Sequence, residues 1–300
     1  MTQLELFAVE DGGPRRLAVP DGATQFADLY RGLPLGAYTA LRTFEYNKFL
    51  YLDRHLARTR RSMALLGIDY ALDEARLRRA LHEIVTAVEW AEMRVRIDVL
   101  AAAPAGATAA ALGTTSRELI AIQPFTPPSP ELYERGVAVD YAAGLARDNP
   151  LAKAAEFAAR RPTSAGLSQL EGGAPKETAD PYEYLLLDDR GRILEGTGTN
   201  FWAVRDGMVY TAGEGVLEGI TREIVLRIIG DLGIPLRLEA IAADEVAALD
   251  EAALSGSSRA FMPVVSIDGR TVGDGRPGPI SRRILAAYND FVAGNIRPAG

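Results

Sequence analysis

The chain has no cysteine among its 300 residues, so disulfides, thiolate nucleophiles and cysteine-ligated metals are all excluded. Histidine is almost as scarce. His55 and His82 are the only two, and their distance in sequence argues against a multi-histidine metal site or a histidine-based triad, so no metal is expected. Lysine is the third shortage: of 33 basic residues only Lys48, Lys153 and Lys176 are lysines, which leaves 30 arginines. Chemistry that needs an amine nucleophile therefore has three candidates. A formal charge of −7 with mixed signs excludes a cationic binder of phosphate backbones, and no nucleic-acid partner is expected. Long apolar runs are missing too. The longest uncharged stretch, Val99 to Ser116, is rich in Ala, Gly and Thr and contains Pro104, which predicts a loop joining two strands rather than a membrane span of ~20 apolar residues. The first residues, Met1-Thr-Gln-Leu-Glu-Leu-Phe7, carry an acid at once and lack the basic and apolar regions of a secretory signal. They read as a strand, and a cytoplasmic protein is expected.

What is present is ample apolar material, 48% of the residues, enough for about two domains at the usual size. Ala40-Leu-Arg-Thr-Phe44 and Phe49-Leu-Tyr-Leu52 flank a predicted hairpin turn. Asp53 is placed to cap the following helix, with Leu56, Leu65 and Leu66 as apolar positions and Gly67 as its stop. Asp73 starts a second helix with Leu77, Leu81, Ile84 and Val85 on one face. Arg94 to Leu100 alternates with period two, and Glu118 to Ile122 reads as its partner strand. Four prolines then fall between Pro124 and Pro130, a density that removes backbone donors and stiffens the chain. This predicts an N-terminal α/β domain over 1–122, a linker over 123–132 and a larger α/β domain over 133–300. In the second part, Val137 to Tyr141 reads as a strand and Leu151 to Arg161 as a short helix. A meander follows through Tyr182–Asp188, Ile193-Leu194, Asn200–Val204 and Met208–Thr211. An amphipathic helix runs from about Thr221 to Leu232 and a final one from about Ile280 to Val292. Strand and helix on both sides of the linker give an α/β (α+β) class.

Three places offer groups for an anion. Gly219 precedes a helix start, so free amides near Ile220 and Thr221 stand at a positive dipole end. Ser255-Gly-Ser-Ser258 is a small-residue turn with hydroxyls and bare amides. His55-Leu-Ala-Arg58 puts a fixed cation on the first helix. Each alone is a common pattern. Lys153 is the one lysine in an apolar surround; a lysine, unlike arginine, can be desolvated into a free amine, although a snorkelling surface lysine explains the same residues. Glu195 ends a strand before a glycine-rich turn, where a solvated carboxylate is the plainer reading.

In order along the chain, His55-x-x-Arg58, Lys153, Leu194-Glu-Gly-x-Gly-x-Asn-Phe201, Leu217-x-Gly-Ile-Thr-Arg222 and Ser255-Gly-Ser-Ser258 with Pro263-Val264 resemble the class IV, fold-type IV pyridoxal-phosphate enzymes. That family includes branched-chain aminotransferases, D-amino-acid and (R)-amine transaminases and aminodeoxychorismate lyase. The resemblance covers about Asp28 to Phe291 and implies a two-domain, homodimeric enzyme with pyridoxal 5′-phosphate between the domains. It implies Lys153 as the catalytic Schiff-base lysine and Glu195 as the partner of the pyridine nitrogen. Arg58, the Ile220 and Thr221 amides and a hydroxyl of Ser257 or Ser258 would hold the phosphate. Tyr38, Arg42 and Arg96 match substrate-binding positions.

The resemblance also shows departures. The tyrosine that branched-chain enzymes carry five residues after the lysine is Ala158 here, and the one two residues before the carboxylate arginine is Arg94. Their Glu-x-Thr-Pro-Val is Ala260-Phe-Met-Pro-Val264, and the arginine of D-amino-acid enzymes falls at Leu100 and Ala101. The expected reaction is transfer of an amino group between an amino donor, branched-chain or other apolar L-amino acids first, and a 2-oxo acid acceptor. Aminodeoxychorismate lyase, an (R)-amine or D-amino-acid transaminase and, more remotely, a non-catalytic cofactor-binding protein are the alternatives.

Overall fold

In a computed structural model, residues 3–162, 164, 166 and 180–300 are described; Lys176 lies outside them. Two sheets organise the chain. The first has seven strands in the order Ile296–Pro298, Lys48–Leu50, Ala37–Phe44, Met93–Val99, Glu118–Pro124, Glu5–Glu10 and Gly13–Leu17. Its pairings are all antiparallel. Helices Leu52–Leu65 and Glu74–Thr86 pack on it through Leu56, Leu77, Leu81 and Ile84 against Val95, Ile97 and Ile122. The last strand of the chain thus belongs to the sheet built by its first part.

The second sheet has nine strands and closes on itself. Asn200–Arg205, Glu251–Gly256, Ala260–Ile267, Val137–Tyr141, Glu183–Leu187 and Ile193–Gly196 follow one another, and the ring returns to its start through the pairing of Glu195 with Asn200. Helices Ile220–Asp231 and Pro279–Asn295 cover one side, their Ile224, Ile228, Ile284 and Tyr288 packing with Trp202 and Phe261.

Several local expectations are corrected. Asp53 does not cap the first helix. Tyr51, in the left-handed region at φ 51°, is the N-cap, and the Asp53 carboxylate pairs instead with Arg78. Asp73 does cap the second helix, its side chain accepting from the Arg76 amide. The stretch after Val99 is not all loop: Gly106–Leu112 is a helix ended by Gly113 at φ 73°, because alanine favours helix strongly enough to outweigh the flanking loop composition. Strand Met93–Val99 alternates in sequence, yet every one of its residues is buried. Its apolar side chains meet the helices, and its Arg94, Arg96 and Asp98 are enclosed on the other face.

Lys153 is not on a helix. The helix begins only at Ala155, because the preceding backbone is committed elsewhere: the Tyr38 amide donates to the Lys153 carbonyl (3.0 Å), the Ala155 amide to Gly36 (2.8 Å), and the Lys153 amide to Ser62 Oγ (3.0 Å). These bonds fix the lysine segment to the start of strand Ala37–Phe44. No helix among the described residues is long and apolar enough to cross a membrane.

Candidate active site

One cavity gathers nearly all the residues singled out from the sequence. Lys153, Glu195, Arg58 and Tyr38 line it, as do Ile220, Thr221, Ser257 and Ser258. Lys153 is buried, and burial, reinforced by Arg58, Arg147 and Arg161, pushes its ammonium down to about 8, with Tyr38 opposing. Its Nζ lies 5.0 Å from the centre of the Tyr38 ring. The Tyr38 phenol titrates at about 7: burial would raise it, but Lys153, Arg161, Arg96 and Arg147 outweigh that effect.

Glu195 is held by three donors. Arg147 Nε donates to Oε1 (2.6 Å), and Asn200 Nδ2 and the Leu217 amide donate to Oε2 (3.2 Å each). Burial raises its pKa against the pull of Arg147. The ring closure explains why this carboxylate and Asn200 face each other. Asn200 also donates to the Leu217 carbonyl (2.9 Å), so one amide side chain ties the Glu195 turn to the segment that starts helix Ile220–Asp231. Gly219, the N-cap of that helix, must lack a side chain: a Cβ there would collide with Asn200 Oδ1.

The anion groups converge as well. Helix Ile220–Asp231 has no side-chain cap, which leaves its first amides without intrahelical partners. Arg58 is buried and lines the same cavity, and among the described residues its Nε has no hydrogen-bond partner. Burial, with Arg61 and Arg147 adding to it, lowers its pKa to about 10. A buried cation without a carboxylate is costly unless an anion joins it. Ser257 and Ser258 sit in the turn between strands Glu251–Gly256 and Ala260–Ile267.

Two of the substrate expectations change. Arg42 does not line this cavity; it lies in a neighbouring groove, paired with Glu92 and stacked on Phe44 (4.2 Å) and Phe125 (4.6 Å). It shares a strand face with Tyr38, but four residues along an extended strand is roughly 13 Å. Arg96 does line the cavity, but its guanidinium grips Asp98 through Nε (2.8 Å) and Nη2 (2.7 Å). It is also sandwiched between Tyr30 (4.1 Å) and Tyr38 (4.4 Å). Burial alone would lower its pKa, and Asp98 more than reverses that.

Sequence reasoning missed Arg147, Arg161 and the part played by Asn200. Nothing marks Arg147 among 30 arginines; it is selected only by the fold, which stacks it on Phe157 (4.0 Å) and points it at Glu195. Asn200 lies in the glycine-rich motif and was open to recognition there. At Ala158, Tyr38 packs against the small side chain.

Such a constellation, an amine of lowered pKa, a buried carboxylate and a buried guanidinium beside free amides and hydroxyls, suits an anionic ligand that reacts with an amine. Residues 36–267 match the Amino-transferase class IV family, and the chain belongs to it. A branched-chain-amino-acid aminotransferase of Pseudomonas aeruginosa is 37% identical over 113 residues, which is 37% of each chain. The chain therefore matches just over a third of that relative's length. A D-alanine aminotransferase of Bacillus licheniformis is 27% identical over 277 residues, 91% of each chain. Among solved structures, a T.th. branched-chain amino acid aminotransferase with pyridoxamine 5′-phosphate superimposes with a TM-score of 0.74 at 22% identity, covering 99% of this chain and 98% of that one. The branched-chain aminotransferase of Thermoproteus uzoniensis with norvaline gives 0.71 at 25% identity, covering 100% and 99%. The mixed α/β fold expected from the sequence is the one these structures share.

Proposed function

We propose that the chain is a pyridoxal-5′-phosphate-dependent transaminase that moves an amino group between an amino acid and a 2-oxo acid, with Lys153 as its catalytic amine. The observation that carries this reading is the convergence of Lys153, Glu195 and the phosphate cup on one cavity. The residues fit the cofactor. Arg58, the amides of Ile220 and Thr221 and the hydroxyls of Ser257 and Ser258 would hold its phosphate, and Glu195 would accept the proton-bearing ring nitrogen. When bound, the cofactor supplies an aldehyde that condenses with amines and a ring that accepts the electron pair released at the substrate Cα.

The chain's own residues do the rest. Arg147 and Asn200 orient the Glu195 carboxylate, and Arg147 and the Leu217 amide oppose the rise in pKa that burial causes. Lys153, with its pKa lowered towards neutrality, would take the proton from the Cα of the amino donor as a general base and, in the second half of the cycle, deliver one to the Cα formed from the 2-oxo acid as a general acid. Tyr38 and Arg96 form the wall against which the substrate packs, and Arg42 stands outside that cavity, on a small void with Ile220, Thr221 and Ser257. We assign the domain boundary to residues 125–129, between strand Glu118–Pro124 and helix Pro130–Arg135, inside the 123–132 linker expected from the sequence, with strand Ile296–Pro298 returning to the first domain, the cofactor held between the two domains and a cytoplasmic homodimer as the working form.

Branched-chain or other apolar L-amino acids are the first donors to test, as the names of several relatives suggest. The match across 91% of a D-alanine aminotransferase favours a second reading, a D-amino acid donor. Borohydride reduction of the cofactor-loaded protein followed by peptide mapping should place the pyridoxyl group on Lys153. Label on Lys48 or Lys176 would overturn the assignment. L-leucine and D-alanine, added singly, then separate the two readings by which one bleaches the visible cofactor band.

A further inference from the structure

We propose that Thr39 and His55 are positioning residues that hold the Arg58 guanidinium in the phosphate cup through an uncharged relay. The proposal rests on the reading of Arg58 as the phosphate cation and goes beyond it to what fixes that cation. Thr39, His55 and Arg58 are 0%, 2% and 5% exposed, so no solvent molecule substitutes for their mutual contacts. Arg58 Nη2 donates to Thr39 Oγ1 (3.0 Å), and the same oxygen lies 2.8 Å from His55 Nδ1. Arginine can only donate, so the Thr39 hydroxyl accepts from it; the relay has that hydroxyl give its own hydrogen to the imidazole. That order requires Nδ1 to be the acceptor and Nε2 to carry the hydrogen. It also requires His55 to be neutral, as its surroundings enforce: burial, with Arg58 and then Lys153 adding to it, holds its pKa well below the usual value. His55 also lines a small void with Ile220, Thr221 and Ser257, so the imidazole end of the relay lies beside the other members of the cup.

The chemistry of the relay matters as much as its geometry. A carboxylate in the place of Thr39 would neutralise Arg58 and compete with the incoming anion. A neutral hydroxyl fixes the guanidinium plane and leaves its charge to the phosphate. The stacking of helix Leu52–Leu65 on strand Ala37–Phe44 supplies the spacing: His55 and Arg58 are one turn apart and address the same hydroxyl from one helix face.

The test compares retention of pyridoxal 5′-phosphate with that of pyridoxal, which lacks the phosphate, by equilibrium dialysis of the loaded full-length protein. Thr39→Val keeps the shape and removes the hydroxyl. It should weaken retention of pyridoxal 5′-phosphate by roughly tenfold, the usual scale for a hydrogen bond to a charged group, while pyridoxal changes less than about twofold. Thr39→Ser should restore the wild-type preference, and His55→Phe should lose part of it. Arg58→Met is the reference and should reduce the preference at least as much as Thr39→Val. If Arg58→Met leaves the preference intact, the phosphate reading of Arg58 itself fails. If Arg58→Met reduces the preference but Thr39→Val keeps it, or weakens both ligands equally, the relay alone is overturned. Thr39→Ser behaving like Thr39→Val would overturn it too.

Discussion

At the scale of single residues, the chemistry of the site is set by how burial acts on Lys153. An unfolded lysine keeps its proton up to 10.5, whereas in the folded chain it is released at about 8. Between these values the unfolded chain binds more protons, so the stability of the cofactor-free protein rises with pH across that window. Below it the buried ammonium is a standing cost. Lys153→Met, which keeps the apolar stem and removes the charge, should therefore melt higher than the wild type at pH 7 in the absence of cofactor. The gap should close as pH approaches 10.5, and melting curves at a series of pH values check it. The same substitution, or Lys153→Ala, should lower turnover by roughly a thousandfold or more, measured as 2-oxo acid formed from the amino donor, with the circular-dichroism spectrum unchanged. Lys153 was legible in the sequence because lysine is so rare here that only three positions can supply an amine. Arg147 was not legible: its significance lies in a contact with Glu195 across 48 residues, which no local pattern encodes. Arg96 was recognised by position, but its bidentate capture by Asp98, two residues on, makes it a fixed part of the wall.

At the scale of elements, the helices were legible where one face is apolar and the other wet, and less so where tertiary contacts override local preference. Leu77, Leu81 and Ile84 declare helix Glu74–Thr86 through their spacing. By contrast, the segment around Lys153 has the composition of a helix, yet its backbone hydrogen bonds go to Gly36, Tyr38 and Ser62. Sequence periodicity cannot see such a commitment. Gly219 shows the reverse case, where a weak sequence signal has a strict structural cause. The position has an ordinary φ of −70°, so conformational freedom is not the reason for glycine; the reason is the space taken by Asn200. Gly219→Ala should push Asn200 off the Glu195 carboxylate and displace the first amides of helix Ile220–Asp231. A loss of about 1–3 kcal/mol in unfolding free energy is expected from the overpacking, accompanied by weaker cofactor retention. Thermal unfolding with and without pyridoxal 5′-phosphate checks both. A cofactor-induced rise in melting temperature equal to that of the wild type would show that the helix start does not serve the phosphate.

At the scale of the whole molecule, the site is shared between structures that neither half of the chain completes alone. The first sheet and its helix bring Tyr38, Arg58 and Arg96; the closed second sheet brings Glu195, Asn200 and the serine turn; the stretch from Arg147 to Arg161 is inserted between strands Val137–Tyr141 and Glu183–Leu187 of that second sheet. The α/β class was legible from the alternation of strand and helix patterns, but the ring closure at Glu195 and Asn200 was not. A single pairing between residues on either side of a turn leaves no periodic trace.

Nor did the sequence reveal that the chain returns to its beginning. Strand Ile296–Pro298 pairs with Lys48–Leu50, immediately before the helix that carries His55 and Arg58. Ile296 is buried with Leu50, and Ala299 is buried in the core of the first sheet. Removing residues 296–300 exposes that apolar surface and leaves strand Lys48–Leu50 at a free edge. Loss of the Ile296 and Ala299 side chains costs about 2–4 kcal/mol at the usual value per buried area. Because the strand precedes the phosphate helix by a single residue, Tyr51 with its left-handed backbone, the loosening should reach Arg58. The truncated protein should therefore unfold at a lower temperature and lose its preference for pyridoxal 5′-phosphate over pyridoxal in proportion. If it melts lower but keeps the full preference, the C-terminal strand acts only as a brace, and the first helix holds Arg58 by its own packing on the strand that carries Thr39.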